Sequence, residues 1–383
     1  MKIRASAPTG FIRKGLVVTQ FAASTIFMIA AIIIYQQIAY AKNRELGYNT
    51  SQVIYMEVRG EMRKNFNTIK NELIRAGVAA NAAMSMNPVI RLGWYSSDNL
   101  TWQGKDPNKN VLIVTEAVTP EYISTLGMSI KEGRDFQPDA KSEGRNIIIN
   151  ETLARKMGNK SPVGDIISAG DDRMKVIGVV KDFVYDDMYS KSPAPVIMGC
   201  EPMDYQYLTI RLKASTDLAG SMAKIEEVIK TYNPEYPFEY SFMDAEFDKL
   251  FKTETLAQKL AGAFGALAVF ISCLGLFGLA AYTAQRRQKE IGIRKILGAT
   301  VNSITSLISS DFLKLAGIAF VVAFPLAWWI MDNWLESYEF RTPIYWWVFA
   351  GVGILTVVII LMTVGFQTLK AALRNPSEVL RTE

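Results

Sequence analysis

The sequence predicts a membrane α-helical bundle of four transmembrane helices plus an α+β extracytoplasmic domain of two lobes: a duplicated β-α-β lobe with an inserted small β lobe. Three observations carry this expectation. Four apolar runs, at 16–34, 260–282, 313–334 and 346–366, are each long enough to cross a bilayer, whose hydrocarbon core takes roughly 20 helical residues. Between 46 and about 259 no stretch is apolar enough to do so. Within that stretch strand-like and helix-like periodicities alternate, and its two ends read alike.

Composition excludes several classes. Half of the 383 residues are hydrophobic and the net charge is +5, while mean hydropathy is only slightly positive. A few spans and one sizeable soluble region fit this balance. The positive excess sits near the spans. It therefore reads as membrane orientation and not as a nucleic-acid face, which needs basic residues beside aromatic or groove-reading elements. Histidine is absent, which removes His-based triads, haem ligation through His and most zinc sites. Cys200 falls in the soluble region and Cys273 within a span, so the lipid boundary separates them and no disulfide is expected.

Lys2, Arg4, Arg13 and Lys14 precede the first run and place residues 1–14 in the cytoplasm. Ala39-Tyr-Ala41 has the small-x-small form of a cleavage site. The apolar core, however, exceeds the roughly 7–15 residues of a signal sequence, so the run is read as an uncleaved anchor. Residues 15–45 are then the first transmembrane helix and a stalk, and 46–243 the extracytoplasmic domain. Gln52 to Val58 reads as a strand, Phe66, Ile69, Leu73 and Ile74 share a helical face, and 78–86 is a second apolar stretch. The far end repeats this order. A strand at 205–212 precedes a helix carrying Leu218, Met222, Ile225 and Ile229, and another strand is expected at 237–243. Two such units suggest duplication. Between them, 118–203 is rich in Gly, Pro and Asp, with short strands at 146–149, 175–180 and 196–198. Asn150 is placed to cap a helix over 151–157 that Gly158 stops. This is the expected inserted β lobe.

Residues 244–259 read as a second stalk whose stripe of Phe247, Leu250, Phe251 and Leu256 packs on the first. The last region, 260–383, holds three spans. In the first of these, Ala261, Gly262, Gly265 and Ala266 form small-x-x-x-small pairs that allow close helix approach, within the bundle or against a second copy. Gln285 to Thr300 is basic and amphipathic. Ile291, Ile293, Ile296 and Leu297 fall mostly on one side, and Arg287, Lys289, Glu290, Arg294 and Lys295 cover much of the rest. Gly298 suits a left-handed helix end and Thr300 the cap of the next helix. The expectation is a short rigid helix at the cytoplasmic face, tied at both ends to spans. Ile304, Leu307 and Ile308 lead into the next span, with Asp311 and Lys314 at its inner end. Pro325 is expected to kink it, and Trp328, Trp329 and Trp334 mark its outer end. An acidic loop at 332–341 and the basic tail residues Lys370, Arg374 and Arg381 put both termini in the cytoplasm.

The order Lys289-Glu-Ile-Gly-Ile-Arg-Lys-Ile-Leu-Gly-Ala299, directly after the second span, resembles the MacB/FtsX-like permeases of ABC transporters. Tyr122, Gly127, Gly133-Arg-Asp-Phe136, Ile149-Asn-Glu151, Pro162-Val-Gly164 and Val176-Ile-Gly-Val-Val-Lys-Asp-Phe183 stand in that family's order. Asn375-Pro-Ser-Glu-Val-Leu-Arg381 is similar to its Asn-Pro-x-x-x-Leu-Arg ending. The resemblance implies a single four-span module of a bacterial plasma (inner) membrane, with a MacB-like periplasmic core domain and an FtsX-like permease domain. It implies that Gln288, Lys289, Glu290, Ile291, Gly292, Ile293, Arg294, Lys295, Ile296, Leu297 and Gly298 form the helix that contacts an ABC-type ATPase. Glu290, Arg294 and Lys295 would make the charged contacts, and Gly292 and Gly298 would serve close approach and helix termination. ATP and Mg²⁺ then belong to that partner, and this chain is a non-catalytic subunit without a cofactor. The implied function is mechanotransmission: hydrolysis by a separate ATPase moves the outer domain and extrudes a substrate such as a peptide, lipoprotein or drug. Further implied partners are a second permease module or a homodimer, a periplasmic or outer-membrane protein, and the bilayer. The alternative is an FtsX-like signalling or scaffold protein that regulates an extracytoplasmic partner without transport.

No Gly-x-x-x-x-Gly-Lys-Ser/Thr phosphate loop occurs in the sequence. Asp182, Asp186 and Asp187 lack the spacing of a calcium loop and read as a solvated loop. Met84-Ser-Met86 has a soft-ligand spacing that suits Cu(I), but the two alternate in a strand and read as core. No serine stands in a recognisable Ser–Lys context.

Overall fold

The computed structural model describes residues 7–92, 96–97, 99–138, 143–159, 161–185, 193–200, 205–214, 217–287, 293–294, 297 and 300–372. The chain divides into an outer unit, Asn43–Lys252, and a membrane unit that joins Met1–Lys42 to Thr253–Glu383. In chain order the elements begin with α1 (Ala7–Lys42), β1 (Val53–Glu57), α2 (Phe66–Arg75) and β2 (Ala79–Ser85). There follow β3 (Ser96–Ser97), β4 (Thr101–Trp102), β5 (Ile113–Ala117), α3 (Tyr122–Leu126), β6 (Ile130–Gly133) and β7 (Asn146–Asn150). Next come α4 (Glu151–Met157), β8 (Ile166–Ala169), β9 (Asp172–Val180), β10 (Val196–Gly199), β11 (Tyr207–Leu212), α5 (Leu218–Tyr232) and β12 (Ser241–Phe242). The chain then runs through α6 (Met243–Lys249), α7 (Lys252–Arg286), α8 (Val301–Leu335) and α9 (Trp346–Ala372).

The first lobe is an antiparallel sheet in the order β12-β1-β11-β2. The two units predicted from periodicity, β1-α2-β2 and β11-α5-β12, are therefore interlocked: each contributes a strand between the two strands of the other, a split β-α-β arrangement. Each unit's ladder is completed by a strand of the other. Ile69 and Leu73 of α2, Ile225 and Ile229 of α5, and Ile54, Leu208 and Ile210 of the sheet are all buried in one core. The strand expected at 237–243 shrinks to Ser241–Phe242. Pro237 lacks the N–H a ladder requires, and Met243 already begins α6.

The second lobe is a mixed sheet in the order β3-β5-β10-β7-β9-β8-β4. Nine-residue β9 carries β7 on one edge, while β8 and then β6 share the other. The lobe starts earlier than the expected 118–203, at Ser96, because β5 runs parallel beside β10 with Val114 opposite Val196. That pairing joins residues far apart in sequence and leaves no local mark. Asn150 caps α4 through Leu153 N–H at 3.1 Å, and Gly158 ends the helix with φ +76°. Two glycines of the family-like motifs are explained by contact. A Cβ on Gly133, where φ is +76°, would lie 2.2 Å from the Ile177 carbonyl oxygen, and one on Gly178 would lie 2.4 Å from that of Arg134. The pair lets β6 and β9 approach closely.

The stretch expected as a continuous stalk, 244–259, breaks at Leu250 and Phe251. Phe247 and Phe251 are buried in the outer unit with their rings 5.1 Å apart, and only Leu256 of the expected stripe is exposed. Burial of two phenylalanines outweighs the propensity for one unbroken helix.

In the membrane unit four helices are long and apolar enough to cross a bilayer: Lys14–Lys42, Lys252–Thr283, Thr305–Leu335 and Trp346–Gln367. At one end α1, α7, α8 and α9 all contribute to a core around Phe21, Leu276, Phe312, Ala316 and Ile360. At the other end Ile29 and Ile33 of α1, Met331 of α8 and Val352 of α9 form a second core. Pro325 lies inside α8, which continues through it. Trp328 and Trp329 in the last part of α8 and Trp346 and Trp347 at the start of α9 are exposed.

Candidate functional site

The connection between α7 and α8 is the segment singled out from sequence. Gln288, Lys289, Glu290, Ile291, Gly292, Lys295, Ile296 and Gly298 lie outside the described residues, whereas Ile293, Arg294 and Leu297 are described. Leu297 N–H donates to the Ile293 carbonyl at 3.0 Å, which closes one helical turn. On that turn Ile293 is 52% and Leu297 81% exposed. Both ends of the connection are anchored. Thr300 caps α8, its hydroxyl accepting from Ser303 N–H at 3.3 Å, as its position predicts. Arg287, just past α7, sits 3.1 Å from Asp311 on α8. Lys314, one turn further, is exposed. A half-exposed ion pair of this kind adds little stability; it puts the end of α7 beside Asp311, inside α8.

Two uncharged polar side chains within the spans carry links that composition did not reveal. Gln20 Nε2 donates to the Ile271 carbonyl at 3.0 Å, and Ser272 Oγ donates back to the Gln20 carbonyl at 3.3 Å. Gly275 makes room, since a Cβ there would lie 2.6 Å from Gln20 Oε1. Of the predicted small pairs, Gly265 sits against Phe27 of α1, so this close approach is within the chain, and Gly262 has nothing within 4 Å. Farther along α1, Gln37 is fully buried and bonds the loop between α8 and α9. The Gln36–Gln37 pair just after the first apolar run was the available signal. The partners of Gln37 are backbone groups about 300 residues away, which no spacing rule reaches.

The two lobes of the outer unit meet where β2 and β5 end. Met86 N–H donates to Ala117 O and Thr119 N–H to Met84 O, both at 2.9 Å, and Ser85 bridges Val118. Glu116 is fully buried at this crossing. It accepts Asn87 N–H at 2.6 Å and Asn87 Nδ2 at 2.9 Å. Burial pushes its carboxyl up to about 7, against the opposing pull of the Asn87 and Met86 bonds.

The other candidates resolve as structure. Asp182 accepts from Thr152 N–H, Thr152 Oγ1, Asn150 Nδ2 and Arg155 within 2.8–2.9 Å, which makes it an anchor for the start of α4. Asp186 and Asp187 lie outside the described residues. Met84 is buried in the first core and Met86 packs against it. Among the described residues no group of three His, Cys, Asp or Glu side chains is placed to hold a metal ion. Cys200 and Cys273 are free thiols, and burial pushes Cys200 up to about 12.

Comparison with known proteins gives two successive domain matches along the chain. The MacB-like periplasmic core domain model matches residues 22–228, and the FtsX-like permease C-terminal model matches 262–376. An uncharacterized ABC transporter permease of Methanocaldococcus jannaschii is 23% identical over 77% of this chain and 76% of its own length. A macrolide export ATP-binding/permease protein MacB of a Shewanella species is 24% identical over 51% of this chain, and the match spans 32% of that protein. The solved periplasmic region of MacB from Actinobacillus actinomycetemcomitans aligns over 53% of this chain and 94% of that one, at 14% identity and a TM-score of 0.38. With two family models matched in the order the motifs indicated, the first over more than half of the chain, the chain belongs to the MacB/FtsX-like family of ABC transporter permeases.

Proposed function

We propose that this permease couples ATP hydrolysis by a partner ABC-type ATPase to movement of the outer unit, with segment 288–298 as the docking element. The observation that carries the reading is the exposed apolar pair Ile293 and Leu297 on the turn that holds Arg294. Apolar side chains this exposed beside a cation fit a protein contact better than water. The connection is held by the Thr300 cap and the Arg287–Asp311 pair, so a push on it is delivered to α7 and α8 together. α7 leads back to the outer unit, and both termini and this connection lie on the ATPase side in this reading. ATP and Mg²⁺ are held by the partner. The outer half of α7, where Leu260, Phe264, Leu267 and Phe270 are exposed, faces lipid or a second permease module. The substrate is one handled by the outer unit, such as a peptide, lipoprotein or drug.

Affinity purification of the full chain from its native membrane, followed by mass spectrometry, tests this. A P-loop ATPase is expected with the wild type and is expected to be lost when Arg294→Glu and Lys295→Glu are combined, with insertion unchanged. Retention of the ATPase at wild-type level by that variant would sink the docking assignment.

A further inference from the structure

The segment that leads from α1 to β1, residues 46–52, is fastened at both ends. At its start Val184 N–H, just past β9, donates to the Leu46 carbonyl at 2.8 Å. Gly47 follows with φ +80°, and a Cβ there would lie 2.6 Å from the Asp182 carbonyl oxygen and 2.8 Å from Phe183 Cα. At its end Leu212 N–H of β11 donates to the Gln52 carbonyl at 2.8 Å. Gln52 has φ +56°, a left-handed backbone that is costly for a non-glycine residue and persists only where its surroundings hold it.

Between these points one side chain gathers three segments. Arg211 of β11 donates through Nη2 to the Asn49 carbonyl at 3.1 Å, through Nη1 to the Ser51 carbonyl at 3.4 Å, and through Nε to the Thr125 carbonyl of α3. Asn49 N–H takes the next α3 carbonyl, that of Leu126, at 2.9 Å. A Cβ on Gly127, which ends α3 with φ +67°, would lie 3.8 Å from both Arg211 Nη2 and Asn49 Cβ, so the helix end packs directly on this pair. β11 belongs to the first lobe, whereas α3 joins β5 to β6 of the second. A cap for α3 would account for the Thr125 bond. It would not account for the same guanidinium reaching the strained segment before β1.

We propose that Arg211 is a clasp that binds residues 46–52 and both lobes into one body, so that displacing this segment carries the two lobes together. A guanidinium suits the role because its donors point apart in one plane, whereas a lysine ammonium presents its donors from one atom. The clasp lies wholly within the outer unit. What drives the segment rests on the coupling reading, whose failure shows separately as a missing ATPase in the affinity purification.

Hydrogen exchange read by mass spectrometry on the full chain in lipid nanodiscs tests the clasp. Arg211→Gln and Arg211→Lys are both expected to speed exchange at 46–52, 122–128 and 182–185 at least about fivefold, while β7 and α5 keep wild-type protection. Gly47→Ala, which pushes the segment off Phe183 with Arg211 intact, is expected to open the same three stretches. Wild-type exchange in the Arg211 variants, rescue by lysine, or opening that spreads to β7 and α5 would each overturn the proposal. Opening confined to 46–52 and 182–185 in Gly47→Ala would overturn it too, because the attachments would then act independently.

Discussion

Gln37 holds Thr342 across the bundle. Its Oε1 accepts the Thr342 backbone N–H at 2.8 Å while its Nε2 donates to the Phe340 carbonyl, also at 2.8 Å. One side chain thus satisfies both a donor and an acceptor of the loop between α8 and α9, at a fully buried position on α1. Gln37→Leu keeps the volume but takes the acceptor from the Thr342 N–H, and a buried group left so costs about 1–3 kcal/mol. A clear fall in the detergent melting temperature is expected, whereas Tyr35→Leu, at an exposed position on the same helix, is expected to leave it nearly unchanged.

Glu116 makes the lobe junction sensitive to pH. Its folded-state value is raised from 4.5 to about 7, so the folded state holds a proton that the unfolded chain has released over that interval. The contribution to stability is therefore fully present below about 4.5 and is lost as pH rises through about 7. The neighbouring titratable group that faces it is Tyr122 of α3, itself pushed up mainly by burial. Hydrogen exchange of the segments around Asn87 and Ala117, corrected for intrinsic rate, should show more opening at pH 8 than at pH 5. Glu116→Gln, which stays neutral, should flatten that difference; an unchanged pH profile would show that another group is responsible.

Gly133 and Gly158 share a left-handed backbone but not their surroundings. Both have φ of +76°, yet a Cβ on Gly158 meets nothing within 4 Å while one on Gly133 meets the Ile177 carbonyl oxygen at 2.2 Å. Gly158→Ala should cost about 1–2 kcal/mol, the conformational penalty alone. Gly133→Ala should cost more than about 3 kcal/mol, because β6 must leave β9. Denaturant unfolding of the two variants, compared side by side, checks the ranking.

Arg287 and Asp311 offer a test of transmission that leaves stability aside. Either single Ala substitution should lower stability by less than about 1 kcal/mol, as for other half-exposed pairs. Each is expected to reduce partner-stimulated function several-fold, and the exchange Arg287→Asp with Asp311→Arg is expected to restore it. Assays of ATPase stimulation in reconstituted membranes separate the single variants from the exchange; full activity in the singles would show that the pair is decorative.

Much of this was legible locally. The Asn150 cap, the Gly158 stop and the Thr300 cap follow from residue types whose side chains or φ preferences act within four residues, and the structure has each where the sequence puts it. The β1-α2 and β11-α5 periodicities were equally plain, because alternation and helical spacing are written along one segment. The candidate site was read as a basic amphipathic connection with an apolar side, of which Ile293, Arg294 and Leu297 are described and lie exposed. Its remaining residues lie outside the described part of the chain. What failed were boundaries decided by distant partners. The second lobe begins before residue 118 because β5 finds β10, and the expected stalk is interrupted because Phe251 is buried in the outer unit.

Local sequence alone determined four membrane-length apolar helices, their connection order, the absence of His-dependent chemistry and the helix ends, since each depends on composition or on neighbours within a turn. Only tertiary structure decided that the two β-α-β units interlock and that Glu116 is sealed against Asn87. It also decided that Gln37 reaches Thr342 and that β1 and β12 pair over two residues only. These depend on which surfaces meet, and a residue's burial or pairing is a property of the contact it makes with a remote segment, not of its own side chain.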